Sequence, residues 1–156
     1  YHGNYICAMK IDDAIKSKFK TPQLRAAVNI RYTSNFLAGR QNAFMSQFDL
    51  TMPQFNILRI LRGAGEMVSV NTVKERMVEK SPNTTRLMDK LIDKGLIERS
   101  RCKSDRRVVF VCITQKGLDL LQEIDDSGEF EKMIMPDNLT DEEAAQLSDL
   151  LDKFRG

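Results

Sequence analysis

Residues 81–113 read SPNTTRLMDKLIDKGLIERSRCKSDRRVVFVCI, and a change of period inside them decides the fold. Ser81 can cap a helix, and Pro82 suits its first position, where a missing N–H costs nothing. Leu87, Met88, Leu91 and Ile92 then fall on one face at helical spacing. Gly95 suits the left-handed residue that ends a helix. Beyond it the period drops to two: Leu96 to Ser100 reads as one strand and Val108 to Ile113 as another. Between them Arg101-Cys102-Lys103-Ser104-Asp105-Arg106-Arg107 forms a polar hairpin loop.

Upstream, Thr51 caps a helix, with Gln54 as its reciprocal partner three residues on and Pro53 in the first turn. Leu50 and Phe55 are spaced as a hydrophobic staple, and Phe55, Leu58 and Leu61 form a core stripe that Gly63 and Gly65 end. Ser69 or Asn71 can cap a third helix over 70–78, with Val73, Met77 and Val78 inward. Two short helices with a turn between them, then a β-hairpin, make a winged helix-turn-helix.

Longer helices flank this unit. Residues 10–20 read as a short amphipathic helix, and a second runs from Pro22 to about Phe48. Its apolar positions (Leu24, Ala27, Val28, Phe36, Leu37, Phe44, Phe48) cover a wide arc, which asks for more than one partner surface and hints at an oligomer. On the C-terminal side Thr114 opens a helix bearing Leu118, Leu121 and Ile124, interrupted at Gly128 and Pro136. Thr140 and Glu143 form a second capping box, Leu139 faces Ala144, and the last helix buries Leu147, Leu150, Leu151 and Phe154. The fold class is therefore mainly α with a small β-hairpin wing (α+β). One domain over residues 1–156 is expected, with the winged unit at about 50–114. Tyr1 to Ala8 is unlike the rest of the chain, and Met9 reads as a start.

Composition narrows the chemistry. With 156 residues, 42% of them hydrophobic and 29% charged, the chain can bury a core and stay soluble. It has no apolar run of about 18 residues, so no membrane span is expected. No signal peptide is read at its start, and a cytoplasmic home fits three scattered cysteines, Cys7, Cys102 and Cys112. Its single histidine, His2, leaves neither a zinc site nor a Ser-His-Asp centre, and both Gly-x-Gly-x-x-Gly and the P-loop pattern are absent. No cofactor and no enzymatic activity are expected. Net charge is +2, yet residues 1–118 hold 21 basic and 10 acidic residues, while 119–156 hold 3 and 12. A basic body with an acidic end suits a polyanion partner for one part only, or a merely solvated bias.

Ser81, Asn83, Thr84, Thr85, Arg86 and Lys90 crowd the first turns of the helix after the turn. Short polar side chains and an arginine at a helix N-terminus suit the base edges and phosphates of a DNA major groove. An ordinary solvated helix face is the other reading. Arg101, Lys103, Arg106 and Arg107 oppose one acid, Asp105, at the hairpin tip, where cationic side chains can enter a minor groove or simply keep an edge soluble. Asp105 can pair with Arg107 and aim it outward. Cys112 reads as a buried small apolar residue, and Cys102 has basic neighbours that favour thiolate. The methionines read as core filler, although Met and Phe near the junction of the long helices and the winged unit could also line a pocket for a small aromatic compound.

The ordered pieces resemble one family. Leu50-Thr51-Met52-Pro53-Gln54-Phe55-Asn56-Ile57-Leu58 looks like the second-helix start of the multiple antibiotic resistance regulator (MarR) family. Residues 81–91 resemble its recognition helix. Lys94-Gly95-Leu96-Ile97-Glu98-Arg99, Asp105-Arg106-Arg107 and Ile113-Thr114-Gln115-Lys116-Gly117 resemble its wing and the segment after it. Leu139 through Leu151 is similar to its last helix, so the likeness covers about residues 22–154.

The resemblance implies a homodimer in which residues 10–48 and 115–156 supply dimerisation helices. It implies a bacterial-type transcriptional regulator, usually a repressor, that binds a pseudo-palindromic double-stranded DNA site; many members are released by small aromatic compounds or by thiol oxidation. It carries Ser81, Asn83, Thr84, Thr85 and Arg86 to the major groove and Arg107 to the minor groove, with Asp105 positioning it and Arg106 nearby. Ser69 and Asn71 become phosphate contacts. The histidines of its zinc-sensing subgroup are missing here. A winged helix used only for protein interaction is the competing expectation, and an exposed apolar patch in place of the cationic helix would favour it.

Overall fold

The computed structural model describes residues 9–78, 83–101, 108–134 and 138–156. The chain divides into two compact units, Tyr1–Arg40 and Gln41–Gly156.

In the first unit, helix α1 spans only Ile11–Ala14. The expected helix over 10–20 stops early because Lys16 takes a left-handed conformation (φ 51°). Helix α2 (Pro22–Met45) starts where proline suits a first turn, with the Thr21 hydroxyl accepting from Leu24 N–H at 3.2 Å. Arg25 reaches back to Asp12 at 2.7 Å, which holds the Asp12 carboxyl below its ordinary value. Leu24, Ile30, Tyr32 and Phe36 of α2 stand exposed.

The second unit holds the core. After α2 a 3-10 turn (Ser46–Phe48) leads through left-handed Asp49 (φ 52°) into helix α3 (Met52–Ala64). The expected capping box is present: Thr51 accepts from Gln54 N–H, and the Gln54 side chain accepts from Thr51 N–H at 3.0 Å. Leu50 and Phe55 are both buried in one cluster, as a staple requires. Phe55, Ile57, Leu58 and Leu61 form the buried stripe, and Gly65, not Gly63, is the left-handed terminator (φ 66°). The Phe130 ring stands edge-on to Phe55 at 4.8 Å and lies 6.0 Å from Phe44. Phe44, Met45, Phe55 and Phe130 are buried in one cluster.

Strand β1 (Val68–Ser69), helix α4 (Val70–Arg76), helix α5 (Thr84–Asp93) and strands β2 (Ile97–Arg101) and β3 (Val109–Ile113) come next. The antiparallel sheet has order β1-β3-β2, with Val68 opposite Val111 and Ile97 opposite Ile113. β1 is not expected from the sequence; two residues are too short to show alternation. Ser69 is the cap of α4, while Asn71 lies inside it. α4 ends at Arg76, two residues short of expectation, and Met77 is extended. Met77 therefore stays buried, whereas Val78 is 86% exposed and not inward. α5 opens at Thr84 with Asn83 in the capping position, and Ser81 and Pro82 lie outside the described residues. α5 closes with Gly95 left-handed, as expected, its N–H on the Ile92 carbonyl and the Leu96 N–H on the Leu91 carbonyl.

Helices α6 (Gln115–Asp126), α7 (Glu129–Ile134) and α8 (Asp141–Arg155) complete the chain. Thr114 caps α6 through Gly117 N–H, and a Cβ at Gly117 would run into the Leu96 carbonyl and the Ile113 side chain. Only glycine lets the first turn of α6 lie this close to the root of β2. α8 has the expected Thr140–Glu143 capping box, but it buries none of its residues. Leu147, Leu150 and Phe154 are 46%, 57% and 57% exposed, a correction to the expected burial: among the described residues nothing covers them.

Candidate nucleic-acid interface

α5 is sorted by its own period. Thr84, Met88 and Leu91 point into the core, and Asn83, Thr85, Arg86 and Lys90 are on the solvent side. Thr84 shares the phase of Met88 and Leu91, so its side chain is 2% exposed and withdrawn from the surface expected for it. A polar, cationic face therefore lies over an apolar seam, at a helix start whose N–H groups point outward.

The C-terminal end of α5 is anchored from several sides. Lys94 pairs with the Asp49 carboxylate at 2.9 Å and also donates to the Asp49 carbonyl. Lys116 donates to the Lys94 carbonyl at 2.8 Å, and the Thr114 hydroxyl donates to the Gly95 carbonyl at 2.7 Å. Arg99 of β2 bonds Asp89 of α5 at 3.0 Å, joining the helix to the wing strand. Arg62 ties α3 to α6 through Asp125 at 2.6 Å. On the other side of the turn, Asn56 of α3 accepts from Val78 N–H at 3.3 Å and fixes the chain leaving α4.

Ser69 and Asn71 lie at the start of α4. The Ser69 hydroxyl accepts from Thr72 N–H at 3.0 Å and shares a hydrogen bond with the Thr72 hydroxyl at 2.9 Å, so it is engaged as a cap. Asn71 is exposed one residue into the helix. Ser81, Asp105, Arg106 and Arg107, together with Cys7 and Cys102, lie outside the described residues.

Cys112 is half-buried rather than buried, and its thiol donates to Glu98, opposite it across the strands, at 3.2 Å. Burial, then the Glu98 hydrogen bond and its negative charge, push the thiol up to about 11. It stays protonated at neutral pH, which makes it a poor nucleophile. Among the described residues, no group of three His, Cys, Asp or Glu side chains could hold a metal ion, and no helix is long and apolar enough to cross a membrane.

Asn56, Asp89, Lys94, Glu98 and Arg99 contribute to this surface without being legible as contributors in the sequence. They lie in the motifs that mark the fold, yet their partners are 10 to 45 residues away along the chain, and no local pattern pairs them.

Helices α3 and α4 ahead of a polar-faced helix and a hairpin make a winged helix-turn-helix. The MarR family model matches residues 50–109, from the turn before α3 into β3. The multiple antibiotic resistance protein MarR of Salmonella typhimurium is 34% identical over 114 residues, 72% of this chain and 78% of that protein. The HTH-type transcriptional regulator YfiV of Bacillus subtilis is 32% identical over 82 residues, 53% of this chain, and the match spans about half, 51%, of its length. A mutant MarR from E. coli, solved in complex with operator DNA, matches the fold with a TM-score of 0.72 at 26% identity, over 82% of this chain and 91% of that one. The chain belongs to the MarR family. That is a family of transcriptional regulators, not enzymes, and the winged helix is its DNA-binding unit.

Proposed function

We propose that two copies of this chain form a homodimer that binds a pseudo-palindromic duplex and represses transcription from it. The carrying observation is the outward face of α5, where Thr85, Arg86 and Lys90 stand over the buried Thr84, Met88 and Leu91. Those side chains, with Asn83, are short or cationic donors suited to a major groove. Ser81 belongs with them. Arg107, positioned by Asp105 and beside Arg106, takes the minor groove, and Asn71 meets a phosphate. Ser69 serves through its cap. Thr84 acts from the core by setting the phase of α5.

A second copy is the cover for the apolar stripes left open. Leu147, Leu150 and Phe154 of α8 supply one, and Leu24, Ile30 and Phe36 of α2 supply another. Exposed stripes of this kind mark association surfaces. The acidic C-terminal segment then forms part of a dimer body held away from phosphate. Release by a small aromatic acid completes the reading. The open groove of α2 lined by Ala27, Val28, Arg31, Tyr32 and Asn35 offers it an apolar seat and a guanidinium. A screen of such acids that raises the melting temperature with none of them removes this last part.

The test is an anisotropy titration of a duplex that the protein selects from a random-sequence pool, beside a scrambled duplex, at several salt concentrations. The reading predicts tight binding to the first, loose binding to the second and a steep salt slope. Equal weak binding to both would contradict it.

A further inference from the structure

We propose that Arg99 acts through Asp89 to keep Arg86 available for the ligand of α5, an inference that rests on reading α5 as the DNA-facing helix. Asp89 lies three residues after Arg86, on the same helix face as Thr85, Arg86 and Lys90. It lies between Arg86 and Lys90 on that face, and Asp93, exposed at the end of α5, follows one turn later. Oppositely charged side chains three apart on a helix reach each other. A bare Asp89 would therefore draw Arg86 onto itself and repel an approaching phosphate.

Arg99 prevents both. It comes from β2, opposite Val111, and its Nη1 lies 3.0 Å from Asp89 Oδ1. Among the described residues Arg86 takes part in no ion pair. The Arg99 and Asp89 side chains are 46% and 47% exposed, and ion pairs so open to water add little stability. The pair is thus a weak clamp. Its consequence is electrostatic: it neutralises the acid nearest Arg86 on the face and leaves that arginine, one turn earlier, unengaged. Arg99 is a positioning residue in this scheme and does not touch DNA.

The experiment is an anisotropy titration of the duplex that the wild-type protein selects from a random-sequence pool, with melting temperatures measured alongside. Arg99→Gln is expected to weaken binding about tenfold, a size within the usual range for coupled neighbours. Asp89→Asn should stay within about twofold of wild type, since it removes the competitor as well as the pair. The double variant Asp89→Asn with Arg99→Gln should return to within about threefold, and Arg99→Lys should bind like wild type. A double variant as weak as Arg99→Gln would overturn the proposal, because Arg99 would then contact DNA itself or hold the wing in place. Unchanged binding by Arg99→Gln would overturn it too. A wild-type protein that selects no duplex would instead overturn the reading of α5 on which the proposal stands. If Arg99→Gln melts far below wild type, the double variant and Arg99→Lys carry the same comparison in folded protein.

Discussion

α5 and α8 are both amphipathic helices, and they meet opposite fates. α5 turns Thr84, Met88 and Leu91 into its own chain and leaves Thr85, Arg86 and Lys90 outside. α8 has the better start signal, a complete capping box, yet it buries nothing, and Leu147, Leu150 and Phe154 face outward. Periodicity says which face of a helix is apolar. It does not say which molecule covers that face. In α5 the apolar side is the foundation and the polar side is the proposed working surface. In α8 the apolar side is itself the proposed working surface, with a second copy as its cover.

The largest effect should come from attacking the foundation. Leu91→Ala removes a fully buried side chain and should lower unfolding stability by about 2–5 kcal/mol in a urea titration. A loss under about 1 kcal/mol would mean that α5 is not seated as described. Next comes the open stripe. Leu150→Asp should weaken self-association by on the order of 2 kcal/mol, read by sedimentation across a dilution series, while the helical circular dichroism persists. Self-association as tight as wild type would erase the contrast between the two helices. The polar face ranks third: Arg86→Ala should weaken binding to the selected duplex by roughly 1–3 kcal/mol with melting unchanged. A change in melting with no change in binding would reverse the roles assigned to α5.

The smallest effect lies at the wing. In a variant with Cys7 and Cys102 replaced by serine, labelling of Cys112 should be slow at neutral pH and accelerate only as pH climbs toward about 11. The folded thiol holds its proton more tightly than an ordinary thiol, whose value is 9.0. The stability this contributes is complete below pH 9 and is lost as pH rises through about 11. Glu98→Gln should move the labelling profile to lower pH. Fast labelling of the parent at pH 7 would show that Glu98 does not hold the thiol.

What can be read in the sequence is mostly local. Thr51 with Gln54, Thr114, Thr140 with Glu143 and Gly95 each act within one turn of chain, and each stands where its spacing puts it. Expectation and structure part where a period is carried past its end. Extending the α4 stripe puts Val78 inward, but Met77 is extended and the phase breaks there. Thr84 looks like a surface residue by polarity, yet helical phase sets it with Met88 and Leu91. Contacts across long separations give no signal at all. Arg99 with Asp89 and Lys94 with Asp49 depend on how the hairpin and helices pack, and β1 exists only because β3 is there to pair with it.

The central claim is that the apolar stripes join two copies while two polar helices meet one DNA. Native mass measurement, of the protein alone and with the selected duplex, tests it most directly. The account predicts a species of twice 17.9 kDa that takes up one duplex without dissociating. A stable 17.9 kDa chain that binds duplex one to one would contradict it.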